Sequence, residues 1–368
     1  MRYKVVVYAI CKNEATLVDA WMRSMGEADK IVIMDTGSND GTAEALRKNG
    51  AAVTVREVKP WRFDTARNLS LDLVPQDADI CVCTDLDESF EKGWREKLEK
   101  AWQPDTQRAR YIYNWSLKPD GSPDTQLVYF KIHARRGYAW RYPIHEYLEY
   151  VGEPPEKEIF IEDLVLNHYP DYSKPRSGYL PMLEAAVREE PENERFAYYL
   201  GREYMFMGLW TQCVDTLKRQ LSLASSQWKE ERCACMRWIA RSYSGLGRRE
   251  DARAWLYKAI AECSSMREPY IEMALLAYEE QDWQSVFYFA RQALKIREKS
   301  QCFVNMGYAW DHTPDDMAAL GCYYLGMTEQ ALKHAKNALA LAPGDERLQN
   351  NVRWIKTAME KKFMEKRL

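Results

Sequence analysis

The first 175 residues alternate between short apolar runs and segments with helical spacing. Four apolar runs have the length of buried strands: 4–11, 31–34, 53–55 and 80–83. Helical patterns lie between and after them, at 17–25, 42–48, 63–73 and 91–102. Uninterrupted apolar runs are typical of strands that are buried on both faces. The order predicts an α/β fold, with helices on both faces of an open, mostly parallel sheet.

Beyond about residue 180 the strand pattern ends, and small residues recur in a helical repeat. Equivalent positions at Gly208, Gly247, Gln281 and Gly326 are 39, 34 and 45 residues apart. Small residues let paired helices approach closely, and a period near 34 residues is typical of tetratricopeptide repeats. We therefore predict an α/β domain at 1–178, followed by an all-α tetratricopeptide-like array at 179–368 whose last, charged helix is a cap.

Composition narrows the class of protein. The chain has 368 residues, which is long enough for two domains, and it is 46% hydrophobic and 29% charged, so we expect both domains to fold. Its net charge of -3 predicts no bulk attraction to nucleic acid. Nine cysteines without a CxxC pair indicate free thiols in a reducing compartment. The chain enters a strand at once and has no long apolar segment, which predicts a cytoplasmic protein without membrane insertion.

The stretch CVCTDLDESF (81–90) places three carboxylates just after an apolar run: Asp85, Asp87 and Glu88. Ligands of parallel sheets bind at the carboxyl ends of the strands. Two carboxylates that reach one point repel each other unless a cation lies between them, and Mg²⁺ or Mn²⁺ suits oxygen ligands. The alternative is a solvated loop in which Asp87, Glu88 or Ser89 caps the next helix.

Four ordered motifs carry a family resemblance: AICKNEA (9–15), VIMDTGSNDGT (32–42), FDTARNLSLD (63–72) and DLDE (85–88). Together they resemble bacterial family 2 glycosyltransferases with the GT-A fold, and DLDE is similar to their D-x-D metal motif. With the repeats, the arrangement is similar to a subgroup that includes enzymes glycosylating peptides on Cys or Ser. The resemblance implies a GT-A nucleotide-binding sheet.

The resemblance also implies residues that bind a nucleotide-sugar: Asn13, Glu14, Asp35, Arg67 and Asp85. Asn13 and Glu14 would line the base pocket, and Asp35 would bind uracil or ribose. Arg67 would face the diphosphate, because a guanidinium suits phosphate oxygens. Two alternatives stay open: Asp35 caps the DTGS turn, and Arg67 pairs with Asp64.

The remaining assignments concern the metal and the general base. The metal ligands would be Asp87 and His168, with Asp85, His145 and Glu88 as possible additional site residues. Glu146, in the strand-like segment 140–150, would be the general base; its alternatives are a solvated position or an ion pair with Arg141. His133 is assigned to the structure rather than the site.

The resulting hypothesis is an inverting, Mn²⁺- or Mg²⁺-dependent transfer of a sugar from a UDP-sugar to a Cys, Ser or Thr of a peptide or protein acceptor. The array would hold that acceptor or form a homodimer. Two alternatives remain open. One is a saccharide-acceptor transferase for cell-surface glycan, and the other is a non-catalytic tetratricopeptide scaffold with a degenerate transferase domain.

Overall fold

A computed structural model describes residues 2–118, 120–170, 178–300 and 302–365, with side chains through Glu360. The chain divides into two compact units, Met1–Ala186 and Val187–Leu368. The first unit is mixed α/β and the second is helical, so the predicted change of architecture along the chain is confirmed.

The first unit is built on an eight-stranded sheet with the order β3-β2-β1-β4-β7-β6-β10-β5. Its strands, together with the β8-β9 hairpin, are β1 (Val5–Cys11), β2 (Lys30–Asp35), β3 (Ala52–Val55), β4 (Ile80–Cys83), β5 (Glu88–Phe90), β6 (Arg108–Leu117), β7 (Pro123–Ala134), β8 (Tyr138–Arg141), β9 (Tyr147–Tyr150) and β10 (Glu158–His168). Its helices are α1 (Val18–Met25), α2 (Thr42–Lys48), α3 (Phe63–Asp72), α4 (Trp94–Ala101) and α5 (Tyr179–Glu189), which crosses into the second unit.

The sheet is mixed rather than mostly parallel. Strands β3, β2, β1 and β4 are parallel, as the apolar runs predicted. Strand β7 is antiparallel to β4 and β6, and β5 is antiparallel to β10. A parallel sheet of the GT-A type is therefore not confirmed.

The core explains why the first strands are uninterrupted apolar runs. In β1, Val5 and Val7 pack in one cluster with residues of α1 and α4, while Val6 and Tyr8 pack on the opposite face with Leu71 of α3. Both faces of the strand are covered, so both sets of side chains must be apolar.

Two predicted elements differ from the structure. The helix expected at 91–102 begins only at Trp94, because Glu88–Phe90 first pairs with β10 as a strand. The segment 140–150 is a hairpin, not one strand. Tyr142 and His145 have left-handed backbone angles, with φ of 80° and 51°, which turn the chain between β8 and β9.

The second unit is an array of antiparallel helix pairs. Its helices are α6 (Glu194–Phe206), α7 (Trp210–Ser222), α8 (Lys229–Gly245), α9 (Arg249–Glu262), α10 (Glu268–Glu279), α11 (Trp283–Lys295), α12 (Thr313–Tyr324), α13 (Thr328–Leu341) and α14 (Glu346–Glu365). The four equivalent positions identified in the sequence each lie two residues beyond the end of α6, α8, α10 or α12, the first helix of each pair, and all have positive φ: Gly208, Gly247, Gln281 and Gly326. Helix α14 follows the fourth pair as the predicted cap.

Close packing inside the array makes Gly321 of α12 sensitive to substitution. A Cβ atom at this position would lie 2.8 Å from the backbone nitrogen of Phe287 in α11. Backbone cannot yield as a side chain can, so Gly321→Ala should lower the stability of the array by about 1–3 kcal/mol despite its better helix propensity. Urea unfolding of the full chain measures this. Gly344→Ala is the control, because no heavy atom lies within 4 Å of its Cβ position; equal effects at both positions would contradict the prediction.

Within the described residues, no helix combines the length and the apolar character needed to cross a membrane.

Candidate functional site

The polar loops after β1, β2 and β4 lie at one edge of the sheet. Strand β1 runs parallel to both neighbours, and Cys11 at its end lies opposite Asp35 at the end of β2. Parallel strands direct their following loops to the same edge. The structure therefore brings together the loops that carry Asn13, Asp35 and Asp85.

Asp35 caps the turn that follows β2. Its side chain is buried, and Oδ1 accepts hydrogen bonds from the backbone N–H groups of Gly37 at 2.8 Å and Ser38 at 2.7 Å. This is the capping role that the sequence left open for Asp35. A bond with a nucleotide base stays a prediction.

Asn13 and Glu14 help to hold the same turn. Asn13 adopts φ 55°, its backbone N–H donates to Ser38 Oγ at 2.9 Å, and its Oδ1 accepts from the Asn39 N–H at 2.9 Å. The Glu14 N–H donates to Thr42 Oγ1 at 2.8 Å. These contacts join the β1 loop to the β2 loop, and a base pocket at these residues stays a prediction.

Arg67 is the centre of a buried ion-pair network. Its side chain, on α3, is 4% exposed. Its Nε donates to Glu146 Oε1 at 2.6 Å, and its Nη2 donates to Asp85 Oδ1 at 2.8 Å. The structure thus joins three predicted site residues that are distant in sequence. They are joined to one another, however, so each charge already has its partner.

Two ion pairs considered as alternatives are replaced by others among the described residues. Asp64 binds Arg62 at 2.9 Å rather than Arg67. Arg141 binds Glu149 across the hairpin at 2.6 Å rather than the carboxylate that holds Arg67.

Lys131 of β7 is a member of this network that the sequence analysis missed. Its buried ammonium lies 3.1 Å from Asp85 Oδ2 and 3.7 Å from Glu88 Oε1. Burial opposes ionisation of Asp85, but Arg67 and Lys131 outweigh it and hold the pKa of Asp85 below its usual range. The available signal was a lysine among the aromatic and apolar residues of 129–132.

Glu88 is held more deeply than the other carboxylates of the loop. It is 2% exposed; its Oε1 accepts from the Tyr113 hydroxyl at 2.9 Å, and its Oε2 accepts from the Asp85 N–H at 2.9 Å. Burial raises the pKa of Glu88, because the charged form loses its hydration. The buried Glu88 side chain therefore helps to fix the backbone of the loop at Asp85.

Asp87 and His168 face each other at the end of β10. His168 Nε2 lies 3.4 Å from Asp87 Oδ2, and its Nδ1 donates to the Trp115 carbonyl at 3.0 Å. Burial lowers the pKa of His168, but its contacts with Asp87 and the Trp115 carbonyl outweigh this and raise it. The arrangement favours an imidazolium paired with a carboxylate.

The other two histidines of the unit have different positions. His145 lies on the segment that the sequence predicted to be one strand. The structure places it in the turn of the hairpin instead, so strand alternation does not fix the direction of its side chain. His133 is fully buried, with Nε2 2.8 Å from the Tyr8 hydroxyl and Nδ1 2.7 Å from the Ala134 carbonyl. Burial lowers the pKa of His133 to about 3, so it is a neutral part of the core.

The residues at this edge do not fit a divalent cation. Mg²⁺ and Mn²⁺ need several oxygen ligands. Across the described part of the chain, no group of three or more His, Cys, Asp or Glu side chains is placed to hold a metal ion. Asp85 is directed toward two cationic side chains, which leaves only the Asp87–His168 pair. A bound Mn²⁺ or Mg²⁺ stays a prediction.

Comparison with known proteins gives matches only among solved structures: no protein-family model and no curated protein matches the chain. The matched structures include MamA, with 16% identity, 45% of this chain and 86% of that chain covered, and a TM-score of 0.37. A thermophilic tetratricopeptide protein of Thermus thermophilus matches at 17% identity over 48% and 89%, with a TM-score of 0.35. Yeast Tom70 matches at 13% identity over 52% and 37%, with a TM-score of 0.39.

The glycosyltransferase interpretation is wrong on these findings. The described residues lack the metal-binding group that the D-x-D interpretation requires. The physical reason lies at Asp85, whose charge is balanced by the side chains of Arg67 and Lys131 rather than by a metal ion. The assignment as an enzyme falls with the resemblance, and a UDP-sugar donor has no support. The repeat prediction, by contrast, is confirmed by the helix pairs of the array.

Proposed function

We propose that this chain is a non-catalytic scaffold whose helical array, Val187–Leu368, binds a protein partner. The observation that carries the proposal is the array itself: four consecutive antiparallel helix pairs followed by a cap helix. Stacked helix pairs form extended surfaces, and proteins with such arrays use them for binding.

The array exposes aromatic side chains on both of its helix layers. Trp228, which precedes α8, is 40% exposed, and Tyr288 of α11 is 55% exposed. Tyr288 also lines a cavity of about 520 Å³, together with Tyr257, Ile260, Tyr270, Gln284, Ser285, Phe289 and Gln292. Exposed aromatic residues are enriched where proteins bind each other.

The ion pairs of Arg67 in the first unit also support the proposal. Arg67 is shared between Asp85 and Glu146, so a diphosphate at Arg67 would have to break a buried ion pair. Separating such a pair leaves charges buried without partners, which is costly. We interpret the network as a stabilising element of the sheet.

Affinity capture followed by direct binding measurement tests the scaffold. The immobilised full chain should retain a protein from extracts of its own cells, and the purified partner, or a second copy of this chain, should then bind in a biosensor. Trp228→Glu and Tyr288→Glu test the two layers of the array, and Phe160→Glu, at an exposed position of β10, is the control. Loss of binding only in Phe160→Glu would place the partner on the first unit and overturn the proposal.

UDP should not bind this protein, with or without Mn²⁺. The reason is that Arg67 and Asp85 already form an ion pair with each other, at 2.8 Å. Calorimetric titration of the full chain should give no heat above dilution, that is, no Kd tighter than about 0.1 mM. Metal-dependent UDP binding that disappears in Asp87→Asn would contradict the scaffold and restore a ligand site at this edge.

A further inference from the structure

The connection between the third and fourth helix pairs crosses the array instead of turning directly. We call residues 302–312 the strap, and the surface formed by α6, α8, α10 and α12 the first-helix face, because each of these begins a pair. Helices α6 and α8 contact each other, as do α8 and α10. The strap follows α11, yet it bonds to side chains of α8 and α10 and contacts rings of α6.

The inner end of the strap is anchored by buried charges. Arg237 of α8 is fully buried; its Nη2 donates to the Tyr308 hydroxyl at 2.8 Å, and its Nε donates to Glu272 Oε1 at 2.9 Å. The Tyr308 hydroxyl in turn donates to Glu272. Glu268 of α10 accepts from the Met306 N–H at 3.0 Å. This half of the strap is part of the array core.

The outer end of the strap is held by the rings around Phe303 and by the buried neighbour Val304, whose carbonyl accepts from Arg237 Nη1 at 3.4 Å. Phe303 stacks on Tyr199 with ring centroids 6.3 Å apart, and lies 6.0 Å from Tyr198 and 5.2 Å from Trp228. Phe303 remains 39% exposed and Trp228 40% exposed, so neither ring is fully removed from water. An aromatic contact of this kind is weak enough to exchange for another aromatic side chain.

The rings that receive Phe303 also lie beneath cationic side chains. The Arg202 guanidinium lies 4.8 Å from the Tyr199 ring centroid, and its buried Nε has no hydrogen-bond partner among the described residues. The Arg195 guanidinium lies 5.3 Å from the same ring. The strap brings no carboxylate here, because 302–310 reads CFVNMGYAW. The strap therefore adds no carboxylate to this pair of guanidinium groups, whose charges also oppose the rise in the pKa of Glu231 nearby.

We infer that the strap is an internal ligand of the first-helix face, and that the partner of this face is an extended acidic segment carrying an aromatic side chain that replaces Phe303. The aromatic ring takes the place between Tyr199 and Trp228, and a neighbouring carboxylate meets Arg202. Val304 and Tyr308 keep the backbone of the strap in place, so exchange needs only the Phe303 side chain to leave its rings. The inference rests on the proposed scaffold function and names the partner class for one of its two layers.

A labelled peptide tests the exchange. The probe is a fluorescein-labelled peptide with one Phe between four Glu residues, and the matched peptide has Ala in place of Phe. By anisotropy, the full-chain Phe303→Ala variant should bind the Phe peptide at least about tenfold more tightly than the wild type, because the internal competitor is removed. The Ala peptide should show no gain. Trp228→Ala in the Phe303→Ala background should remove the gain, because the receiving ring is lost.

Hydrogen exchange shows whether the variant opens as inferred. Phe303→Ala should raise exchange at 302–303 and leave 304–311 protected, because Val304 is buried and Arg237 binds both the Val304 carbonyl and Tyr308. Equal affinity of the wild type and Phe303→Ala for the Phe peptide, or binding by neither, would overturn the inference. Loss of partner capture in Tyr288→Glu would place the partner on the second helices of the pairs. In that case the proposed scaffold function would hold even if the inference about the strap is wrong. If the protein neither captures a partner nor binds the Phe peptide, the proposed scaffold function is wrong as well.

Discussion

Arg67→Met should destabilise the first unit by about 3–5 kcal/mol, the usual cost of removing one partner from a buried ion pair. Arg67 is 4% exposed and compensates both Asp85 and Glu146, at 2.8 and 2.6 Å. Met fills much of the same volume and adds no charge, so packing loss is small. What remains is a pair of carboxylates, with Lys131 near only Asp85. The penalty comes mainly from Glu146, whose largely buried carboxylate loses the guanidinium with which it pairs.

Urea unfolding of the full chain, with hydrogen exchange in β4 assigning the transition to the first unit, measures this effect. The matched control is Arg141→Met, because Arg141 is 53% exposed and pairs with Glu149 at the surface. Exposed pairs contribute about 0–1 kcal/mol, so the control should change stability little. A loss below about 1 kcal/mol for Arg67→Met would show that water reaches the network and that the two carboxylates do not depend on Arg67.

The parts of the first unit that could be predicted from sequence are those set by local pattern. Strand β1 and its parallel neighbours follow from uninterrupted apolar runs, which only burial on both faces explains. The strand β5 could not be read, because Glu88–Phe90 pairs with β10 about 80 residues away and its own sequence is polar. Long-range pairing of this kind leaves no periodic signal.

The site shows the same division between local and distant contacts. Asp35 as a turn cap is a local contact, and it was one of the two roles that the sequence left open. The bond between Arg67 and Glu146 joins positions 79 residues apart, and Lys131 enters from an antiparallel strand. From sequence, three carboxylates after a strand indicated a metal because no compensating cation was visible nearby. The fold supplies two cations from elsewhere in the chain.

The uneven spacing of the repeats indicates where the array departs from a regular succession of helix pairs. The interval of 45 residues between Gln281 and Gly326 exceeds the neighbouring interval of 34 by 45 − 34 = 11 residues, the length of the strap. The excess predicts an insertion between two pairs. Its path across α8 and α10 depends on Arg237 and Glu272, which are 35 residues apart and pair only in the folded array.

Glu231→Gln should stabilise the array at pH 8 by up to about 3 kcal/mol and change its stability little near pH 4. Glu231 is 8% exposed, and Gln220 Nε2 donates to its Oε1 at 3.2 Å. Burial, with the nearby negative charge of Glu194, raises the pKa of Glu231 to about 7 against the opposing effect of Arg195. In the unfolded chain a Glu titrates near 4.3.

The sign follows from the raised folded-state pKa. The protonated, neutral carboxyl stabilises the folded array fully below about pH 4.3, and that stability is lost as pH rises toward 7. Above pH 7 the folded array contains a buried carboxylate, whereas Gln has the same shape and stays neutral at every pH. Urea unfolding of the wild type and the variant at pH 4 and pH 8 measures the difference. Glu279→Gln is the control, since Glu279 is 61% exposed and its substitution should have no pH-dependent effect. A difference between wild type and Glu231→Gln that is the same at both pH values would show that Glu231 ionises as freely in the folded array as in the unfolded chain.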